Sequence, residues 1–243
     1  MDFYLNEEQR MWQAAVHDFV AKEVGDNGLH ALVNVAGVAE VAGGIIEGVS
    51  EDRIKFLFDV NVFGTLRMIR TFLPLLRKYG PARVVNVASS GVRVPVAFSG
   101  IYAISKYAVE GITNAFRYEL PIFGIQLTSI EPGAMDTPMT ANSKENMAKT
   151  WERMPQEVRD LYYDKLKVPI EYMNDMMASM SPPRDVAKVI LKALKARKMK
   201  IRYMAGKGVK TMPLMQRVLG ENLFEKMILK VQKMPKPDFK KND

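Results

Sequence analysis

Four short apolar runs divide this chain, and stretches with helical spacing separate them. The runs are Ala31–Val35, Arg83–Ala88, Ile125–Ile130 and Lys200–Met204. Each is short, rich in branched residues and followed by a polar or Gly-containing stop, so each reads as a strand. The most telling is Arg83-Val84-Val85-Asn86-Val87-Ala88, which ends in Ser89-Ser90-Gly91. Between the first two runs, Ser50 is placed to cap a helix. Its buried stripe is Ile54, Leu57, Phe58, Val62, Leu66, Ile69 and Leu73, with Pro74 expected to kink or shorten it and Tyr79-Gly80-Pro81 to end it. Before the last run, Ser181-Pro182-Pro183 opens a helix whose inner stripe is Val186, Val189, Ile190, Ala193 and Leu194. Residues 212–233 read as one amphipathic helix. At 243 residues the chain is long enough for a single α/β domain with a real core, here assigned to residues 1–233. Residues 234–243 are expected to be a disordered basic tail.

Composition narrows the chemistry. There is no Cys, so no disulfide or thiol nucleophile is possible, and with only His17 and His30 no metal site is expected. No apolar run is long enough to span a membrane, and the acidic, polar start is unlike a signal peptide, so a cytoplasmic protein is the default. The net charge of +8 is uneven: residues 184–243 carry +12 and the remainder −4. A basic C-terminal third is usually a solvated face, and contact with an anionic membrane is the second reading. Nucleic acid is not expected, because the tail lacks the spaced aromatics on which bases stack.

The feature that carries chemistry is Tyr102-Ala103-Ile104-Ser105-Lys106. Ala103, Ala108, Val109, Ile112, Ala115, Phe116 and Leu120 recur at helical spacing, and Pro121 with Gly124 ends the run. Tyr102 and Lys106 therefore stand one turn apart on the same face. A phenol with a pKa of about 10 is a poor acid at neutral pH. An ammonium beside it favours the phenolate and draws that pKa down. Such a pair can exchange a proton with an alcohol or carbonyl oxygen. A Tyr and a Lys at this spacing also arise by chance, so the neighbouring segments decide the weight of the pair.

Those segments are Leu32-Val33-Asn34-Val35-Ala36-Gly37, Asp59-Val60-Asn61-Val62-Phe63-Gly64, Arg83 to Gly91, and Glu131-Pro132-Gly133-Ala134-Met135-Asp136-Thr137. In order and spacing they resemble the marks of the short-chain dehydrogenase/reductase family over about residues 1–235. Tyr-Ala-Ile-Ser-Lys-Tyr-Ala-Val-Glu, Ile-Glu-Pro-Gly and Arg202-Tyr203-x-x-Gly206 resemble the branch acting on retinol, steroids and hydroxybutyrate. The resemblance implies a Rossmann-like, doubly wound parallel sheet and an NAD- or NADP-dependent oxidoreductase acting on a secondary alcohol or ketone. By the same resemblance Tyr102 is the acid or base, Lys106 supports it and holds the cofactor ribose, and Ser89 orients the substrate oxygen, with Ser90 as the fallback. Asn61 maintains a proton relay. Asp2 lies near the adenine, and Asn34, Ala36 and Gly37 lie beside the ribose, although Asn34 could equally tie strands together. Pro132, Gly133 and Thr137 meet the nicotinamide.

The chain departs from the family at its start. No Thr-Gly-x-x-x-Gly-x-Gly turn occurs, so the reading is of an N-terminally truncated sheet lacking the first β-α-β. Residues 1–24 also resemble the first helix of acyl-CoA dehydrogenases, a match that nothing downstream extends. Eight methionines between Met135 and Met180 suit an adaptable apolar substrate such as a retinoid or steroid, or ordinary packing. A homo-oligomer, or pairing with a full-length relative, is the expected association. The competing function is a catalytically silent interaction protein.

Overall fold

The computed structural model describes residues 28–39, 45–94, 96–97, 99–141, 143–165 and 180–235. Asp2, the rest of the stretch 1–24 and the basic tail from residue 236 lie outside the described residues. The described sheet has four strands in the order β1-β2-β3-β4: Ala31–Asn34, Arg83–Val87, Gln126–Pro132 and Arg202–Ala205. All three pairings are parallel, with Val33 beside Val85, Val85 beside Thr128 and Ile130 beside Tyr203. The four apolar runs thus form the sheet, each shifted by a residue or two where loop residues at either end pair or leave the ladder.

Helices cover both faces, which is why these strands are apolar on both sides. On one face Leu32, Val84 and Leu127 pack against Ile69, Phe72 and Leu76 and against Leu120. The first three of these helical residues belong to α2 (Gly64–Tyr79), and Leu120 follows α3 (Gly100–Glu119). On the other face Val85, Ile130, Tyr203 and Ala205 pack against Ala193, Val186, Val189 and Ile190. These belong to α6 (Pro183–Lys195), which follows α4 (Pro138–Ala141) and α5 (Ser143–Glu152). A last helix, α7, spans Met212–Val231.

Four local expectations need correction. Ser50 does sit at the N-cap of α1 (Glu51–Phe58), but its side chain makes no capping bond. The expected single helix from residue 51 is α1 and α2 joined by a π-helical turn, Asp59–Phe63, in which the Gly64 N–H reaches back to the Asp59 carbonyl. Pro74 does not shorten α2, which continues to Tyr79. The stretch after residue 212 is not one continuous amphipathic helix. Gly220, at φ 71° and ψ 165°, breaks it, and Leu214, Val218 and Leu223 are exposed while Phe224 is buried. An isolated Gly in a periodic pattern hides such a break, because only glycine enters this region without strain.

The apolar faces are interrupted by a polar chain. Asn34 Nδ2 donates to Asn86 Oδ1 across β1 and β2 at 2.8 Å, and Asn86 Nδ2 donates to Thr113 Oγ1 of α3 at 2.8 Å. Asn86 is fully buried, so each of these bonds replaces water that cannot reach it. Asn86→Ala strands the Asn34 amide and is expected to lower unfolding free energy by about 1–3 kcal/mol. Urea titration checks this, and a variant within about 0.5 kcal/mol of wild type would contradict it.

Candidate active site

Every candidate residue within the described chain lies at the carboxyl end of the sheet or on the helices flanking it. Loops leave β1 at Val35, β2 at Ala88 and β3 after Pro132 on the same side, which is where open parallel sheets bind ligands. The loop after β1 is held by Asn61. Its Oδ1 accepts from the Val38 N–H at 2.8 Å, and its Nδ2 donates to the Val38 carbonyl and to Ser105 Oγ, each at 3.0 Å. Both amide hydrogens and the carbonyl oxygen are therefore engaged, and Asn61 is 1% exposed. Ser105 in turn donates to the Tyr102 carbonyl at 2.7 Å. The poor helix propensity of an Asn at this position is the signal that the sequence offered.

Gly37 follows from this arrangement. A Cβ there would lie 3.1 Å from Asn61 Oδ1 and 3.1 Å from Lys106 Nζ. A side chain there would push Asn61 or Lys106 aside by a few tenths of an ångström. Lys106 is buried and donates to the Val87 carbonyl at 3.1 Å, and its Nζ stands 5.8 Å from the centre of the Tyr102 ring. Tyr102 is half-buried. Of the two candidate serines, Ser89 is the one whose side chain hydrogen-bonds Tyr102. Ser89 Oγ also accepts from the Gly91 N–H at 3.1 Å and so caps the turn Ser90–Val92.

The remaining expected residues are less tightly joined. Asn34 ties β1 to β2, as above, and Ala36 is exposed in the loop beyond it. Gly133 continues the β3–β4 ladder, its N–H donating to the Ala205 carbonyl at 2.9 Å. A Cβ on Gly133 would come within 2.7 Å of Val209 Cγ1, so the turn needs glycine for space. The Thr137 N–H donates to Thr140 Oγ1 at 2.9 Å, and the two hydroxyls are 3.2 Å apart. Of the methionines, Met135 and Met154 are buried and Met139 is exposed.

Comparison with known proteins shows the family. The family model for short chain dehydrogenases matches residues 5–148, more than half of the chain. The chain belongs to the short chain dehydrogenase family. It is 36% identical over 200 residues to human (Homo sapiens) short-chain dehydrogenase/reductase family 9C member 7, covering 81% of this chain and 63% of that protein. It is 36% identical over 155 residues to retinol dehydrogenase 7 of Rattus norvegicus, covering 63% of this chain and 48% of that protein. The chain thus spans less than two thirds of the length of these relatives. A short chain dehydrogenase from Burkholderia cenocepacia J2315, solved in complex with NADP, superposes with a TM-score of 0.65 at 20% identity, over 92% of this chain and 75% of that one. At that identity the likeness is one of fold.

One group of residues is not legible as a unit in the sequence. Arg93, Glu110, Glu131 and Arg202 form an ion cluster in which the two carboxylates are buried and the two guanidinium groups are half-buried. Arg93 Nη2 and Nε reach Glu131 at 2.8 and 3.2 Å, and Arg93 also pairs with Glu110. Arg202 Nη2 donates to Glu110 Oε1 at 2.8 Å, and its Nε lies 3.3 Å from Glu131 Oε1. In the sequence Glu110, Glu131 and Arg202 stand in three separate motifs. Burial pushes the Glu131 carboxyl up, Arg93 opposes this and the Glu110 carboxylate adds to it.

Burial also acts on the Tyr102–Lys106 pair, in opposite directions. It raises the Tyr102 phenol above its ordinary value, partly offset by the Ser89 hydrogen bond, and it lowers Lys106 to about 8. The expected downward pull of the ammonium on the phenol therefore meets a competing effect. Lys106 binds its proton less tightly folded than unfolded, so it opposes folding below pH 8, and that opposition fades as pH rises from about 8 to the ordinary lysine value. Wild type should consequently gain about 3 kcal/mol relative to Lys106→Met over that interval. Denaturant titrations of both proteins at several pH values test this, and parallel stability curves would refute it.

Proposed function

We propose that the chain is an NAD- or NADP-dependent oxidoreductase acting on a secondary alcohol or carbonyl. The single observation carrying this is the convergence of Ser89, Tyr102 and Lys106 at the carboxyl end of the sheet, with Gly37 pressed against the ammonium. The site suits a dinucleotide on its own chemistry. An ammonium has three N–H groups, and among the described residues Lys106 meets one acceptor, the Val87 carbonyl. Ribose hydroxyls are acceptors that such a buried donor lacks. Lys106, Asn34, Ala36 and Gly37 would hold the ribose, with Asp2 assigned to the adenine by family resemblance. Pro132, Gly133 and Thr137 would hold the nicotinamide.

When bound, the nicotinamide cofactor supplies the hydride donor or acceptor. The protein handles the proton. In the reducing direction Tyr102 Oη gives its proton to the substrate carbonyl oxygen as negative charge builds there. In the oxidising direction Oη takes the proton from the alcohol. Ser89 Oγ donates a hydrogen bond to the same substrate oxygen and stabilises the partial charge that develops on it. Asn61, its amide already committed to Val38 and Ser105, keeps the relay and the Tyr102 helix in register. The similarity to a protein named retinol dehydrogenase supports an apolar substrate, a retinoid or steroid.

Self-association would use the outer face of α3, where Ile104, Tyr107 and Tyr118 are exposed. Membrane contact would be peripheral and would use the basic C-terminal third, since among the described residues no helix is long and apolar enough to cross a membrane.

The test begins with NADH and NADPH fluorescence titrations of the purified, size-checked chain. Saturable binding is the expected result. A folded chain that binds neither cofactor would overturn the proposal and favour the silent interaction protein. With a turnover assay in hand, Tyr102→Phe is expected to reduce kcat by about 10²–10⁴-fold while cofactor binding persists.

A further inference from the structure

The four-charge cluster is an expensive way to hold a fold. Glu131 is 0% exposed, and Glu110 is also buried, with its Oε2 lacking a hydrogen-bond partner among the described residues. Buried ion clusters contribute little net stability compared with apolar packing, and their best-attested use is to specify register. Apolar packing is already present at this junction, because Val92, Ala88 and Val109 form a buried cluster of their own. The cluster therefore calls for an explanation beyond stability.

Its connectivity suggests one. Arg93 stands four residues after Ser89, and the link between them is stiff. The Val92 N–H donates to the Ser89 carbonyl at 3.2 Å, and the Arg93 and Val94 N–H groups donate to the Ser90 carbonyl at 2.9 and 3.1 Å. Glu110 lies on α3 at the same spacing that separates Tyr102 from Lys106, so the three share one helical face. Glu131 sits on β3 immediately before Pro132-Gly133. One guanidinium thus joins the serine turn to the tyrosine helix and to the strand that leads into the nicotinamide loop. Arg202, on the neighbouring β4, supplies the second positive charge that allows two carboxylates to stand together.

We propose that Arg93 is a positioning residue that, by gripping Glu110 and Glu131 at once, sets the placement of the Ser89 hydroxyl against the Tyr102 phenol. The inference rests on the reading of Ser89 and Tyr102 as the reacting pair. Arg93 meets Glu131 through both Nη2 and Nε while also pairing with Glu110, a fixed fork that the single nitrogen of lysine cannot reproduce, so lysine, with the same charge, is expected to fail at this position. Glu110→Gln weakens one arm of the grip and leaves Glu131 in place.

The test uses the full chain with Arg93→Lys, Ser89→Ala, their double variant and Glu110→Gln. The first measurement needs no activity: amide hydrogen exchange over residues 89–94. Arg93→Lys is expected to speed exchange there about tenfold while peptides from α3 keep their protection. The second is turnover, where Arg93→Lys should lower kcat about tenfold or more and leave KM and cofactor Kd within about twofold. The double variant should be no slower than Ser89→Ala alone, because the arginine acts through the serine. Unchanged exchange at residues 89–94 would overturn the proposal, and so would losses that add in the double variant. If Arg93→Lys fails to fold, Glu110→Gln is read by the same criteria with smaller changes expected. A wild-type chain that binds no cofactor and turns nothing over would overturn the functional reading, while the exchange measurement still decides the positioning claim.

Discussion

A single buried amide holds the upper part of this structure together. The chain leaving β1 runs over the ends of the strands, where the Val38 N–H and carbonyl have no neighbouring strand to bond. Buried backbone groups left unpaired are costly, so something must stand in for that strand. Asn61 does so, accepting from one and donating to the other, and its second N–H reaches Ser105 on α3. The π-helical turn Asp59–Phe63 is the local distortion that carries Asn61, and turns of this kind gather at functional sites. With the loop fixed in this way, Gly37 is pressed onto Asn61 and Lys106, and the distance from the β1 loop to the Tyr102 helix is set.

The sheet face beneath α2 and α3 divides along its length. Its lower part is apolar, with Leu32, Val84 and Leu127 against Ile69, Phe72 and Leu76, and it supplies the hydrophobic stabilisation. Its upper part is polar, with the Asn34–Asn86–Thr113 chain and the Arg93–Glu110–Glu131–Arg202 cluster lying beside Lys106. A polar network adds little free energy but accepts only one alignment, because each misplaced member leaves a buried group without a partner. Apolar packing tolerates small slides of a helix over a sheet, and the hydrogen-bonded upper part does not. The division places the least adjustable contacts where three loops have to meet.

Much of this was legible in sequence, for reasons that separate cleanly from what was not. The strands and the α6 stripe were readable because apolar spacing reports which side of an element is buried. Tyr102 and Lys106 were readable as a pair because four residues is a spatial neighbour on any helix. The ion cluster was not, since Arg93 meets Glu131 across 38 residues and Arg202 meets Glu110 across 92. The sequence displays each charge, but only the fold displays the pairing. Asn34 was readable in two ways, and its bond to Asn86 shows a strand tie whatever else it does. The break in α7 was hidden because Gly220 interrupts a continuous periodic pattern, and periodicity carries no information about φ. Pro74 misled in the opposite direction. It occupies an exposed position on α2, where the helix continues past it.

The electrostatics of the pair were the least legible feature, because a neighbouring charge is visible in sequence and burial is not. A Lys one turn from a Tyr reads as a phenolate stabiliser. In the folded chain desolvation is the leading effect on both partners, raising the phenol and lowering the ammonium. Both shifts disfavour the separated charges of a phenolate beside an ammonium and favour a neutral phenol. Two contacts work the other way. The Ser89 hydroxyl lowers the phenol, and the Val87 carbonyl accepts a hydrogen bond from the ammonium. Under the proposed reaction this balance gives the two directions different requirements. A protonated Tyr102 is ready to donate to a carbonyl oxygen at neutral pH. Taking a proton from an alcohol needs the ionised phenol, and hence a Lys106 kept charged by further acceptors around its remaining N–H groups. Under that proposal the directionality of the site would be governed less by the Tyr–Lys spacing than by how completely the buried ammonium is solvated by hydrogen bonds.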